Sequence, residues 1–445
     1  MKPIHLSTLG EDLLYYVWKT RNFNQPTLTG TKGEAIHIID PGRHNFDSGP
    51  DFSEAQIRIN DKHWAGQVEM HVRSSDWHRH GHGSDKAYDN VILHVVYEND
   101  APIALPSGGD LTCLEMKDLI PAHIFSGYET LIRNEDAVPC GNQLAHVDPM
   151  ISHSWLERII AERMQERTSR LRNLLDALEN DWEESFYRLL LRNFGFHTNA
   201  AAFELLAQSF SSKILAKHKT SLFEIEALLF GQAGFLEGDF VDEYPQRLQT
   251  EYLHLRRKYQ LQPIRTHLWK FMRMRPANFP TVRLAQFAVL FYRTNHLFSK
   301  MLAAANVKEL TETFRSDVSN YWKSHYRLDE PSIKKSKKLG KAAIQLIIIN
   351  TVVPSIFLYG KHHGLEKYQE HALDLLAALP AENNKITRTF SNLGLTAENA
   401  MQSQSLLQLK STYCDKHQCL SCSIGHHLLT RKISMLHPSM TSLSE

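Results

Sequence analysis

Between Ser48 and His82 the chain reads SGPDFSEAQIRINDKHWAGQVEMHVRSSDWHRHGH, which gathers Asp51, Glu69, His71, His78, His80 and His82 into one short stretch. Carboxylates hold hard divalent cations, and an ion left with open positions binds water and phosphate oxygens. Asp51 begins one alternating segment and Glu69 lies in the middle of the next. Side chains alternate along a strand, so Glu69 and His71 face one side and Met70 the other. Two adjacent strands would then bring Asp51, Glu69 and His71 to one sheet edge. Mg²⁺ or Mn²⁺ is the expected ion, held by Asp51 and Glu69, with the third residue orienting or deprotonating a water. Trp77 to His82 reads either as a polar loop or as a second metal- or phosphate-binding group, with His80 best placed. His94, inside an apolar strand, reads as a core histidine.

The elements that must position these groups follow from periodicity. A helix opens the chain, capped by Ser7, with Leu13, Leu14, Val17 and Trp18 on one face. EAIHIID, AQIRIN, GQVEMHV and NVILHVVYEN read as strands, and LTCLEMKDL offers another. HRHGHGSDKAYD lies between the third and fourth as a loop or short helix. From about Trp155 the pattern turns helical, as in SWLERIIAERMQERTSRLRNLLDAL. The expected division is an α+β domain over residues 1–125, a linker over 126–154, a helical domain over 155–410 and a Cys-rich segment over 411–445.

The 445 residues carry a net charge of +1, with 42% hydrophobic and 22% charged residues, as in an ordinary globular protein. Glu11 and Asp12 stand where a signal peptide needs an apolar core. The apolar run from Ala342 to Gly360 is interrupted by Gln345, Asn350 and Pro354 and reads as a buried helix, with no membrane partner. Together with the cysteine pattern, this points to a reduced, cytoplasmic setting. Charge is uneven along the chain: Glu251 to Lys341 holds 19 Lys and Arg against 6 Asp and Glu. Such a run is either a solvated face or a phosphate-facing surface. Within it, Trp269 to Arg283 interleaves aromatic rings with Arg273, Arg275 and Arg283, a combination suited to nucleic acid. The same arginines could equally pin helix ends.

The Pro50-Asp51 and Glu69-Met70-His71 pattern, after a helix bearing Glu11 and before a connection and a strand, resembles the PD-(D/E)xK nuclease superfamily over roughly residues 7 to 100. The resemblance implies a restriction-endonuclease-like core of helix, three strands, helix and strand. It would make Asp51 and Glu69 metal ligands, Glu11 an auxiliary carboxylate and His71 the occupant of the lysine position. Lysine supplies a fixed charge, whereas histidine is neutral over much of its range and can bind metal itself. Over its whole length the chain resembles an uncharacterised bacterial domain-of-unknown-function family, through GPDF, SSDWHRHGH, RMRPANFP and CLSCSIG.

Near the end of the chain, Cys414, Cys419 and Cys422 stand at C-x4-C-x2-C spacing, with His426 and His427 following. Three cysteines and His426 suit a closed, structural zinc site. The same spacing equals three ligands of a plant-type iron–sulfur set, with Cys140 available as the distant fourth. Cys113 reads as an ordinary buried thiol.

Three functions fit these residues. One is a metal-dependent nuclease acting on DNA or RNA. Another is a catalytically silent nucleic-acid or protein-binding module on the same fold. The last is a histidine–carboxylate hydrolase in which His71, His78 or His80 ligates zinc or manganese directly, chemistry that Mg²⁺ avoids.

Overall fold

The computed structural model describes residues 10–104, 109–315 and 317–431. The fold is α+β and separates into two compact units. The first comprises the chain up to Trp155, together with Thr389–Leu395 and the residues from Leu409 onward; the second comprises Leu156–Arg388 and Thr396–Gln408. The expected linker over 126–154 and the Cys-rich segment therefore both belong to the first unit. The linker region holds the end of one helix and the 3₁₀ turn Gly141–His146.

The first unit opens with α1 (Glu11–Thr20), which buries Leu13, Leu14, Val17 and Trp18 as the periodicity predicts, and Tyr16 as well. Gly10 precedes it; the cap expected at Ser7 lies outside the described residues. Seven strands follow: β1 (Leu28–Thr29), β2 (Ala35–Asp40), β3 (Arg43–His44), β4 (Phe52–Ile59), β5 (Lys62–Arg73), β6 (Val91–Glu98) and β7 (Cys113–Glu115). The sheet order is β1-β2-β4-β5-β6-β7, with β3 also paired to β4. Pairing is antiparallel as far as β5, then parallel from β5 to β6 and from β6 to β7.

A parallel pair needs a crossover. Here it is α2 (Asp76–Arg79) and the 3₁₀ turns His82–Ser84 and Lys86–Tyr88. Val68 and Met70 join the main core with α1, whereas Trp77, beneath the crossover, forms a small separate core with Val91, Ile103 and Leu111. The polar-looking crossover is thus anchored by one fully buried indole. α3 (Ala122–Arg133) and the C-terminal helix Ser423–Thr430 send Ile124, Phe125, Tyr128 and Leu429 into the α1 core.

The second unit is helical. Its core is built by Phe186, Leu190, Phe203, Leu228, Phe230, Phe287 and their neighbours, each at most a few per cent exposed. The apolar run lies in the helix Lys341–His363, the one described helix whose length and mean hydropathy of 1.9 would suit a membrane, and 67% of its apolar window is buried. Its interior carries a π-turn at Ile348–Val352, just ahead of Pro354, whose missing N–H breaks the regular ladder.

Candidate metal centre

The antiparallel register aligns Phe52 with Val68, which sets Asp51 beside Glu69. The two residues exchange contacts: the Asp51 backbone N–H donates to Glu69 Oε2 at 3.2 Å, and the Met70 N–H donates to Asp51 Oδ2 at 2.9 Å. A bulge in β4 between Phe52 and Ala55, with Glu54 at φ 59°, turns this end of the strand. Gly42 makes room for it, since a Cβ there would lie 2.5 Å from the Ser53 carbonyl oxygen.

In the parallel register Glu69 aligns with His94, so Glu69, His71 and His94 share the face beneath the crossover. His71 Nδ1 lies 2.8 Å from His94 Nε2, and His71 Nε2 lies 3.1 Å from His80 Nδ1. Glu69 Oε1 is 3.5 Å from His71 Nε2 and 3.1 Å from His82 Nε2. His82 Nε2 is buried and, beyond this contact with Glu69, makes no hydrogen bond. Trp77 packs on both His82 and His94, and Tyr88 stacks on His82 at 3.9 Å, which fixes the imidazoles.

Among the described residues, His71, His80 and His82 are the one group of three metal-ligand side chains whose ligand atoms all lie within 4.8 Å of one another. His71 is 1% exposed and Glu69 4%, while His80 is exposed, so the group opens to solvent on one side.

Glu11, at the start of α1, completes the acidic side. Tyr15 donates to Glu11 Oε2 at 3.2 Å and also hydrogen bonds Asp51. Burial pushes Asp51 up to about 6, with Glu11 raising it further and the Met70 and Tyr15 hydrogen bonds opposing. Burial, then the Asp51 charge, pushes Glu69 up to about 9. Glu11 is raised by burial. The imidazoles move the other way: burial, reinforced by their histidine neighbours, brings His71 down to about 2 and His94 to about 3. Without a cation Glu69 keeps its proton at neutral pH, and His71 and His94 stay neutral. A neutral imidazole with a free lone pair is the form that ligates metal.

Asp51, Glu69, His71, Glu11 and His80 are thus brought together, while His78 is exposed and outside the group. Tyr15 carries no signal in the sequence, His82 stands there only as one member of the Trp77 to His82 group, and His94 reads as a plain core residue. His94 is indeed fully buried, and its ring is also what holds His71 in place.

The other expected site residues lie elsewhere in the chain. Arg283 is 7% exposed, donates to Gln286 Oε1 at 2.9 Å and Asn278 Oδ1 at 2.7 Å, and covers the Phe196 ring. Its guanidinium is engaged inside the second unit. Arg273 and Arg275 are exposed. In the lysine run, Lys337 is buried, donating to the His325 carbonyl at 2.6 Å, while Lys334, Lys335 and Lys338 are exposed. His426, expected as a ligand beside the cysteines, meets the Tyr16 hydroxyl through Nδ1 at 2.8 Å.

An α+β chain that carries a buried carboxylate–histidine group at the end of a mixed sheet is the class that fold and site define. The chain belongs to the family described as "Protein of unknown function (DUF2851)", which matches residues 11–385. No curated protein and no solved structure matches the chain.

Proposed function

We propose that the protein is a divalent-metal-dependent hydrolase of phosphodiester bonds, acting on nucleic acid in the manner of the PD-(D/E)xK nucleases. The observation that carries this reading is the meeting of Asp51, Glu69 and Glu11 beside His71, His80 and His82, with a buried His82 nitrogen that makes no hydrogen bond. A bound cation would supply charge neutralisation on the phosphoryl oxygens and a more acidic water. Asp51 and Glu69 would be its oxygen ligands, with His80 and His82 as nitrogen donors. Imidazole donors favour Mn²⁺ over Mg²⁺. His71, backed by His94, orients the nitrogen side of the group, and Glu11 with Tyr15 fixes Asp51. The exposed lysines and Arg273 and Arg275 supply basic surface for phosphates.

The closeness of His71, His80 and His82 favours a second reading, in which imidazoles are the principal ligands and zinc or manganese the ion. Both readings are tested by cleavage assays on single- and double-stranded DNA and RNA with Mg²⁺, Mn²⁺ and Zn²⁺. Glu69→Gln is expected to abolish cleavage while sparing nucleic-acid binding. His71→Lys separates the two: retained Mn²⁺-dependent cleavage supports the nuclease reading, and loss of both metal and cleavage supports the imidazole site. Binding without cleavage under any metal would leave a silent module, and no binding to any nucleic acid would remove the nucleic-acid reading.

A further inference from the structure

Away from the carboxylate–histidine group, but within the same unit, four thiols surround one cavity. Cys140, Cys414, Cys419 and Cys422 line it together with Val138, Leu144, Phe390, Leu409, Tyr413 and Ile424. They come from distant parts of the chain: Cys140 precedes a 3₁₀ turn, Cys414 ends the π-turn Leu409–Cys414, Cys419 starts the 3₁₀ turn Cys419–Ser421, and Cys422 precedes the C-terminal helix. None is in a disulfide.

The cavity measures about 20 Å³, more than the roughly 10–15 Å³ that admits one water. Interiors are close-packed, so a void between four sulfurs forfeits contacts on every side. A water there would need two to four good hydrogen-bond partners, which thiols and apolar side chains do not provide. Neither packing nor hydration therefore explains the space.

Its dimensions say what does. Four thiolates on one tetrahedral zinc, with Zn–S near 2.3 Å, stand about 3.8 Å apart. No three of these sulfurs lie within 4.8 Å of one another, since the one such group among the described residues is the histidine one. Sulfurs this far apart around an apolar space suit several bridged metal atoms rather than a single ion.

The surroundings are prepared for sulfur that carries negative charge. The Cys422 sulfur receives backbone N–H groups from Ile424 and Gly425. Gly425 is required at that position, because a Cβ would lie 2.1 Å from the Cys419 carbonyl oxygen. N–H groups aimed at ligand sulfur are among the levers that set a cluster's potential. In the metal-free chain, burial pushes Cys140 up to about 12 and Cys419 to about 11, so the thiols stay protonated until metal displaces the protons.

We infer that Cys140, Cys414, Cys419 and Cys422 hold an iron–sulfur cluster, which fastens the C-terminal segment to the sheet-bearing unit. All four protein ligands are spent on the cluster, and the lining is apolar, so its role is structural. This replaces the expected zinc site of three cysteines and His426.

The test uses the full chain purified without oxygen, with iron, zinc and acid-labile sulfide measured per chain and visible absorption and electron paramagnetic resonance recorded before and after dithionite. Iron and sulfide in equal amounts are expected, with absorption that bleaches on reduction; the iron count distinguishes a two-iron from a four-iron cluster. Cys140→Ser should lower iron several-fold, whereas Cys113→Ser, a buried thiol outside the cavity, should retain it. If Cys140→Ser does not fold, the wild-type stoichiometry decides alone. Zinc without sulfide, or a folded chain that takes up neither iron nor sulfide on anaerobic reconstitution, overturns the assignment.

Discussion

Glu184 in the helical unit and Glu69 in the sheet-bearing unit are both 4% exposed, yet their surroundings are opposite. Glu184 accepts from Arg188 Nε at 2.9 Å, from the Ser211 and Ser212 hydroxyls at 2.9 and 2.7 Å, and from the Ser212 N–H at 2.8 Å. Its charge is matched within the chain. Glu69 accepts one backbone N–H at 3.2 Å and faces two further acids and a set of neutral imidazoles. Burying a carboxylate without a partner is expensive, and structural sites avoid it by pairing. Strongly shifted carboxyls gather at functional sites. The contrast separates a buried carboxylate whose charge is matched within the chain from a buried carboxyl whose charge is not.

The sharpest way to break that contrast is to titrate the metal-free protein. Glu69 sits near 9 in the folded chain against 4.5 in an ordinary carboxyl, so the folded state holds more protons between those values. Stability attributable to Glu69 is then full below about pH 4.5 and is lost as pH rises toward 9, by up to about 1.4 kcal/mol per pH unit. Melting followed by circular dichroism should show this fall, and Mn²⁺ should reverse it at pH 8. A flat profile between pH 5 and 9, or Mn²⁺ without effect, would mean that the carboxylates are matched after all.

Glu226 tests the middle case. It is fully buried in the helical unit, with hydroxyls of Tyr244 and Ser319 as partners and no cation, and burial pushes it up to about 7. The sign is the same as for Glu69, in a narrower window: stability is lost as pH rises from about 4.5 through 7, amounting to about 3 kcal/mol. Glu226→Gln should flatten the melting profile in that window and leave any metal response untouched.

The smallest effects concern the arginines. Arg283→Ala should lower stability by about 1–3 kcal/mol, through loss of two buried hydrogen bonds and the Phe196 contact, without changing the salt dependence of nucleic-acid binding. Arg275→Ala should do the reverse, shifting stability by less than about 0.5 kcal/mol and weakening binding at low salt. Equal behaviour of the two would erase the distinction drawn between them.

Much of this was legible in the sequence where local rules govern. Alternation in GQVEMHV put Glu69 and His71 on one face, and helical spacing put Leu13, Leu14, Val17 and Trp18 in the core. What could not be read was set by pairing at a distance. His82 joins the group because Trp77 pins the crossover, and His94 supports His71 because a parallel register aligns it with Glu69. Arg283 looked available because periodicity does not say which helix face is covered by which neighbour. The cysteine spacing was plain, but the meeting of Cys140 with the other three at one cavity is set by the fold across more than two hundred residues.

The division of the chain also constrains the order in which it can fold. The sheet, α1 and α3 emerge first, yet the helix that covers them, Ser423–Thr430, and three of the four thiols arrive only after the whole helical unit has been made. Closing so long a loop adds little to its entropy, because that term grows only logarithmically with length. The burden is one of waiting: during synthesis the core that Leu429 shares with Tyr128, Ile124 and Leu13 stays incomplete. Early in the life of each molecule the sheet-bearing unit is therefore an unfinished body, and its completion reports that translation has passed Cys422.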